Sequence, residues 1–233
     1  MKVSEQGFLI SRINYSESSS IVRCFTREQG LKAFLFQGAK KKKGYVLMPM
    51  APLEFSCYQR NDSKLGKMTD AQLFISFREI PFHPVKSGLV YFMAEVLQNV
   101  LYEEVKDEHL FDFIDQEMNW LDRSSLVTNY PIYWMLEISK HLGFFPLLGA
   151  GSYFDLEEGS FSESKPVNHR YLSGEIVALL HDLIQFEKNE MMAYSLNKKE
   201  RKLVLNVLFD YFTFHLPNFK KLKTIEIIEE TWS

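Results

Sequence analysis

Cysteine is nearly absent from this chain. Cys24 and Cys57 are the only two in 233 residues, which rules out a disulfide framework and a structural zinc site built on four thiolates. Both lie in strand-like segments, where a cysteine serves as a small buried hydrophobe, and a cytoplasmic setting suits them best. Long apolar runs are missing as well. No stretch reaches the ~18 residues needed to span a bilayer, and the opening Met1-Lys-Val-Ser-Glu-Gln-Gly-Phe-Leu-Ile10 is too short and polar to read as a signal peptide. No membrane partner is expected.

The motifs of catalysis are also lacking. The chain has no Gly-x-x-x-x-Gly-Lys-Ser/Thr loop and no Gly-x-Gly-x-x-Gly turn between strand and helix. It has no Gly-x-Ser-x-Gly elbow. The histidines His83, His109, His141, His169, His181 and His215 never pair at i, i+4, which excludes a zinc helix. Adjacent acids such as Glu103 and Glu104, or Glu157 and Glu158, read as solvated faces, because working carboxylate pairs need a concave, partly dry setting. With no constellation supplying both nucleophile and base, the chain is expected not to be an enzyme and to need no cofactor.

What is present is an uneven charge distribution. The net charge of −3 conceals a basic front and an acidic back: residues 1–80 sum to +6 and residues 81–233 to −9. Such asymmetry suggests two bodies with different partners. The front holds four consecutive lysines, Lys40, Lys41, Lys42 and Lys43, just after an apolar strand and Gly38-Ala39. Adjacent like charges repel, so the run needs water or a polyanion around it, and a basic loop at a strand end is a candidate phosphate contact.

The first 80 residues alternate apolar segments with turn signals. Strands are expected over 3–13, 19–26, 31–36, 45–58 and 65–77, separated at Asn14 to Ser18, Glu28-Gln29-Gly30, Gly38 to Gly44 and Asn61-Asp62-Ser63. Five short strands suit a small antiparallel barrel, an OB-fold or an SH3-like one, and the OB-fold is widely used to hold single-stranded nucleic acid. Pro49 and Pro52 cannot donate to a ladder, so the fourth strand should bend or bulge there.

From about residue 85 the apolar period becomes helical, giving an α+β chain. A domain junction is expected at Pro81 and Pro84, with 1–80 as the nucleic-acid-binding barrel and 81–233 as a helical domain. Val85 to Glu104 carries the stripe Leu89, Phe92, Met93, Val96, Leu97, Val100 and Leu101. Further helices are expected near 107–121, 130–142 and 173–186. A last long one opens at Asn197, where Glu200 three residues on forms a capping box. Residues 143–169 hold Pro146, Pro166 and a cluster of glycines, and read as an irregular excursion or short hairpin.

Several local motifs occur in a particular order. Phe25-Thr-Arg-Glu-Gln-Gly-Leu31 is followed by Gln37-Gly-Ala-Lys40. Tyr91-x-x-x-Glu95 leads into Leu110-Phe111. His141-Leu-Gly143 precedes the irregular region, and Tyr211 to Pro217 precedes Leu222-Lys223. This ordered set resembles the bacterial RecO family over essentially the whole chain. The resemblance implies an N-terminal OB-fold and a helical C-terminal domain. It further implies a mediator of recombination in DNA repair that binds single- and double-stranded DNA, anneals complementary strands and, with RecR, helps load RecA onto DNA covered by single-stranded-DNA-binding protein (SSB). It places the protein in the bacterial cytoplasm, at the nucleoid when active. Two departures stand out. Many members carry a four-cysteine zinc motif where this chain reads Leu147-Leu-Gly-Ala-Gly-Ser-Tyr-Phe-Asp-Leu-Glu-Glu-Gly159, so no zinc is expected and Tyr153, Phe154 and Phe161 are candidates to hold the loop instead. The family often has Gly-Glu-Ser-Asp before its second strand, where this chain has Ser16-Glu-Ser-Ser19.

Within the barrel, Arg12, Arg23, Arg27, Lys32 and Lys40 to Lys43 are the expected DNA contacts. Each phosphate neutralised releases counterions, so about five contacts on a single strand give a log–log salt slope of roughly −3.5. Tyr15, Tyr45 and Tyr58 are the candidates for stacking on bases, and sequence preference should be slight because phosphate contacts carry no base information. The resemblance puts the docking of the acidic SSB C-terminal tail on the helical domain, where Lys140, Arg170, Lys198, Lys199, Arg201 and Lys202 are the available cations. The rival reading is an OB-fold adaptor that binds RNA or protein without annealing DNA.

Overall fold

The computed structural model describes residues 2–37, 47–58, 65–167 and 170–230. Strands β1 (Lys2–Asn14), β2 (Ser19–Thr26), β3 (Gly30–Gln37), β4 (Pro52–Tyr58) and β5 (Leu65–Leu73) close into a barrel in the order β1-β2-β3-β5-β4, with β4 returning to β1. Among the described barrel strands, β3 and β5 pair in parallel and the other neighbours antiparallel. This is an OB-type barrel, which decides between the two architectures that strand count left open. Inside it lie Leu9, Val22, Cys24, Phe34, Phe36, Leu53, Phe55, Cys57 and Met68. Both cysteines are thus free and buried.

Two local devices let so short a sequence close a barrel. A register shift between Leu9 and Ser11 bends β1, so its first half pairs with β4 and its second half with β2. Gly66 lies over the ring of Phe34, and a Cβ there would sit 2.7 Å from Phe34 Cδ1. The fourth strand is shorter than its apolar pattern suggests. Residues 47–50 form a turn, Met50 takes φ 60, and β4 begins at Pro52, the first-residue position a strand proline tolerates.

Helices α1 (Pro84–Val100) and α2 (Glu108–Arg123) follow. All of the expected α1 stripe except Leu101 is buried. Asp107 caps α2 by accepting the Leu110 amide at 2.9 Å. Phe111 on α2 packs against Phe8 and Phe25 of the barrel, ring centres 5.0 and 6.1 Å away. Near the helix end, Asp122 accepts hydrogen bonds from the Arg78, Glu79 and Ile80 amides, each at 2.9 Å. Lys86 of α1 is 2% exposed and donates to the Asp122 carbonyl at 2.9 Å and to Glu79 at 2.5 Å. These contacts tie α1 and α2 to the barrel. The chain accordingly divides into two compact units between Ser124 and Ser125, whereas the β-rich sequence ends near residue 80.

The second unit contains α3 (Tyr130–His141), α4 (Glu175–Leu183), α5 (Lys188–Ala193), α6 (Lys198–His215) and α7 (Thr224–Glu230). The stretch between α3 and α4 is more ordered than its composition suggests: β6 (Tyr153–Asp155), flanked by β7 (Ser160–Ser162) and β8 (Tyr171–Ser173), makes a three-stranded sheet. Phe154 anchors it, 4.9 Å from Phe161 and 5.8 Å from Tyr211. Tyr211 also donates to the Phe144 carbonyl at 2.6 Å. Gly159, at φ +64, is required there because a Cβ would stand 2.4 Å from the Tyr211 hydroxyl. Asn197 and Glu200 form the reciprocal capping box that their spacing predicts.

Candidate nucleic-acid interface

The barrel's strand register defines an outward row of side chains. Ile13, Ile21, Leu35, Lys67, Tyr58 and Lys2 are successive partners from β1 through β2, β3, β5 and β4 back to β1. Their chain neighbours Val22, Phe34, Met68 and Cys57 point into the core, so alternation turns this row outward. Ile13 is 65% and Tyr58 42% exposed, and Lys67 is exposed. A second row, Ser11, Arg23, Ala33 and Leu65, runs beside it. Tyr15, 64% exposed, follows β1 in its connection to β2. The rows combine aromatic and aliphatic side chains with cations spread around the barrel: Arg23 on β2, Lys67 on β5 and Lys2 on β1.

The candidate barrel cations fall into distinct environments. Arg12 is exposed on β1, but its register partner is the core residue Val22, so it leaves the sheet on the face opposite the outward rows, whereas Arg23 of β2, partnered with Ser11, belongs to them. Among the described residues no carboxylate pairs with Arg12 or Lys67. Arg23 pairs with Glu103 at 3.2 Å. Arg27, at the end of the β2 ladder, pairs with Asp112 at 2.6 Å and lies over the Phe111 ring. Lys32 is different: its side chain is 13% exposed, and its ammonium donates to Gln29 at 2.8 Å and lies 3.8 Å from Glu104. Gln29 in turn donates to the buried Glu5, so Lys32 belongs to a polar network at the barrel end. Burial raises the Glu5 pKa above its ordinary 4.5, against the lowering effects of Gln29 and Lys32. The run Lys40 to Lys43, with Tyr45, lies outside the described residues.

The helical cations do not form one cluster. Lys140 pairs with Glu137 at 3.7 Å and lies over the Phe145 ring. Arg170 pairs with Glu157 at 2.7 Å and lies over Phe214. Arg201 donates to the Leu196 carbonyl, Lys202 pairs with Glu229 at 2.6 Å, and Lys198 and Lys199 are exposed at the start of α6. Lys140 lines a cavity of about 460 Å³ together with Lys188, Leu136, Leu183 and Met191. Lys188 sits over the Tyr133 ring at 5.1 Å. Glu137 and Glu187 also line this cavity.

Sequence reasoning missed Lys2, Lys67 and Lys188. For Lys67 a signal existed: in Leu65-Gly-Lys-Met68 it alternates outward against the buried Met68. The partners of Arg23 and Arg27 lie 80 and 85 residues away in sequence, and no local pattern announces them.

A closed OB-type barrel followed by helices sets the architectural class of this protein. Comparison with known proteins narrows it. The profile "Recombination protein O N terminal" matches residues 1–77, and "Recombination protein O C terminal" matches residues 82–224. The chain belongs to the RecO family. It is 31% identical over 243 residues to the DNA repair protein RecO of Flavobacterium johnsoniae and 30% identical over 240 residues to that of Flavobacterium psychrophilum, with 100% of both chains covered in each case. The DNA repair protein RecO of Phocaeicola vulgatus is 28% identical over 235 residues, covering 97% of this chain and 98% of the relative.

The zinc site implied for many members does not fit these residues. Among the described residues no three His, Cys, Asp or Glu side chains converge on a common point, and both cysteines are in the barrel core. Where the second unit's sheet needs a centre, it has the Phe154, Phe161 and Tyr211 rings. Among the described residues no helix is long and apolar enough to cross a membrane.

Proposed function

We propose that this protein is a DNA-binding recombination mediator in DNA repair. It binds and anneals single-stranded DNA through its barrel and, with RecR, helps load RecA onto SSB-coated DNA. The observation that carries this reading is the outward row Ile13–Ile21–Leu35–Lys67–Tyr58–Lys2 with Arg23 beside it. Cations at the edges of such a strip meet phosphates, while Tyr58 and the aliphatic residues offer bases a surface to lie on. Annealing follows from charge. Two phosphodiester chains repel each other, and a cationic surface that neutralises both lowers that repulsion. Lys40 to Lys43 are further proposed phosphate contacts in this reading.

For the helical unit, the cavity bordered by Lys140 and Lys188 is the proposed seat of the acidic SSB tail. Two cations at the rim of this cavity suit an acidic peptide. Lys198 and Lys199 lie outside the cavity lining and are assigned to solvent.

Fluorescence-anisotropy titration with a labelled single strand tests the barrel, and the same titration with an acidic SSB-tail peptide tests the cavity. Lys67→Ala should weaken DNA binding without touching peptide binding, and Lys188→Ala should do the reverse. DNA binding that ignores salt, or an RNA preference with no annealing, would favour the adaptor reading instead.

A further inference from the structure

The barrel's Arg23 and Arg27 are each held by a carboxylate from one acidic stretch, residues 103–112, which contains Glu103, Glu104, Asp107, Glu108 and Asp112. The stretch is fixed against the β2–β3 turn by its backbone. Leu31 bridges to Glu103, and the Glu104 amide donates to the Leu31 carbonyl at 3.1 Å. Gly30, at φ +68, lets the chain approach so closely that a Cβ would stand 2.1 Å from the Val105 carbonyl oxygen. Lys106 reaches back to Glu28 at 2.8 Å. The position of these acids is therefore built into the fold.

Their side chains, by contrast, are loosely held. Glu103 and Asp112 are 57% and 47% exposed, and the arginines they meet are 28% and 36% exposed. Exposed ion pairs contribute little to stability, so exchanging a carboxylate for another anion costs little. A phosphate offers the same charge-assisted, fork-shaped acceptor geometry to a guanidinium.

We propose that Glu103 and Asp112 are internal stand-ins for phosphate, which occupy Arg23 and Arg27 until a DNA strand displaces them. This deepens the DNA-binding reading and rests on it. The acids set a threshold: short or sparse contact leaves the arginines paired inward, and a strand already held along the outward row at Lys67 recruits them one at a time. The effect is to weaken and grade binding, which favours release of strands after annealing.

The test is the double variant Glu103→Gln/Asp112→Asn in the full chain, titrated with labelled single-stranded DNA over a range of salt. Each additional phosphate contact steepens the log–log slope by ~0.7. With a strand too short to displace the acids in the wild type, two freed arginines should steepen it by about 1.4 and tighten binding about tenfold at 50 mM salt. A charge-matched variant on exposed acids of the helical unit, Glu158→Gln/Glu163→Gln, controls for net charge and should shift affinity by less than about twofold. If the double variant melts early, Glu103→Gln alone should show half the slope change, about 0.7. An affinity matching the charge-matched control, with only the melting point lowered, would overturn the proposal and leave the pairs as anchors. Wild-type protein with no salt-sensitive DNA binding would overturn the underlying DNA reading, and the proposal with it.

Discussion

Replacing Asp122 by Asn probes what holds the two helices and the acidic stretch against the barrel. Asp122 is 9% exposed and accepts three amide hydrogen bonds, the Glu79 and Ile80 amides sharing Oδ1 and the Arg78 amide on Oδ2. An asparagine can keep its carbonyl oxygen toward Glu79 and Ile80, but its amide group then faces the Arg78 N–H, donor to donor. One buried bond is lost and two lose their charge assistance. At roughly 1–3 kcal/mol for hydrogen bonds to a charged group, the net cost is about 3 kcal/mol. For a unit of this size that is a fall of about 10 °C in melting temperature, read by circular dichroism or calorimetry. Acidity adds a second readout. Burial by itself raises the Asp122 pKa, but the three amides and nearby Lys86 outweigh it and hold the carboxyl below its ordinary 3.8. A depressed carboxyl contributes stability that is complete above the unfolded value and is lost as pH falls through the folded one. The gap between wild type and Asp122→Asn should therefore be full at pH 7 and shrink below about pH 4. A variant as stable as wild type at pH 7, or a gap unchanged by acid, would refute this account of the junction.

Other perturbations address the remaining claims. Gly159→Ala must accommodate a Cβ 2.4 Å from the Tyr211 hydroxyl at a left-handed backbone position, and should lower the melting point of the helical unit by more than Tyr211→Phe, which loses only the bond to Phe144 at about 1 kcal/mol. Glu5→Gln should raise thermal stability at pH 7.5. Burial lifts the Glu5 pKa above 4.5, so the charged form carries a penalty that is absent below pH 4.5 and develops as pH rises through the folded value; a gain that persists at pH 4 would contradict this. Tyr58→Ala should weaken single-strand binding by ~1–3 kcal/mol with the salt slope unchanged, whereas Lys67→Ala should flatten that slope by about 0.7, and the reverse pattern in anisotropy titrations would show the two roles misassigned. Metal analysis of purified protein should find no stoichiometric zinc.

The elements legible in the sequence are those whose packing is periodic. Val22 and Cys24 alternate with Ile21 and Arg23, and the α1 stripe repeats at helical spacing, so barrel and helices could be read directly. The capping box at Asn197 was legible because it is local chemistry. Elements set by distant contacts were not. The three-stranded sheet has strands of three residues each, too short for alternation to register, and its Phe154 packs on Tyr211 far along the chain. The six-residue helix α5 hides behind its own brevity. The early cations Arg12, Arg23, Arg27 and Lys32 were visible as a group, but the occupation of Arg23, Arg27 and Lys32 depends on carboxylates some 70 to 85 residues away. Charge counted by segment cannot reveal pairing of that range.

The most direct test of the central claim is the salt dependence of single-stranded DNA binding by the full chain, measured by fluorescence anisotropy between about 50 and 300 mM salt. A cationic barrel surface that meets about five phosphates gives a log–log slope of roughly −3.5, nearly independent of base sequence. A slope near zero, or affinity governed by sequence and indifferent to salt, would contradict it.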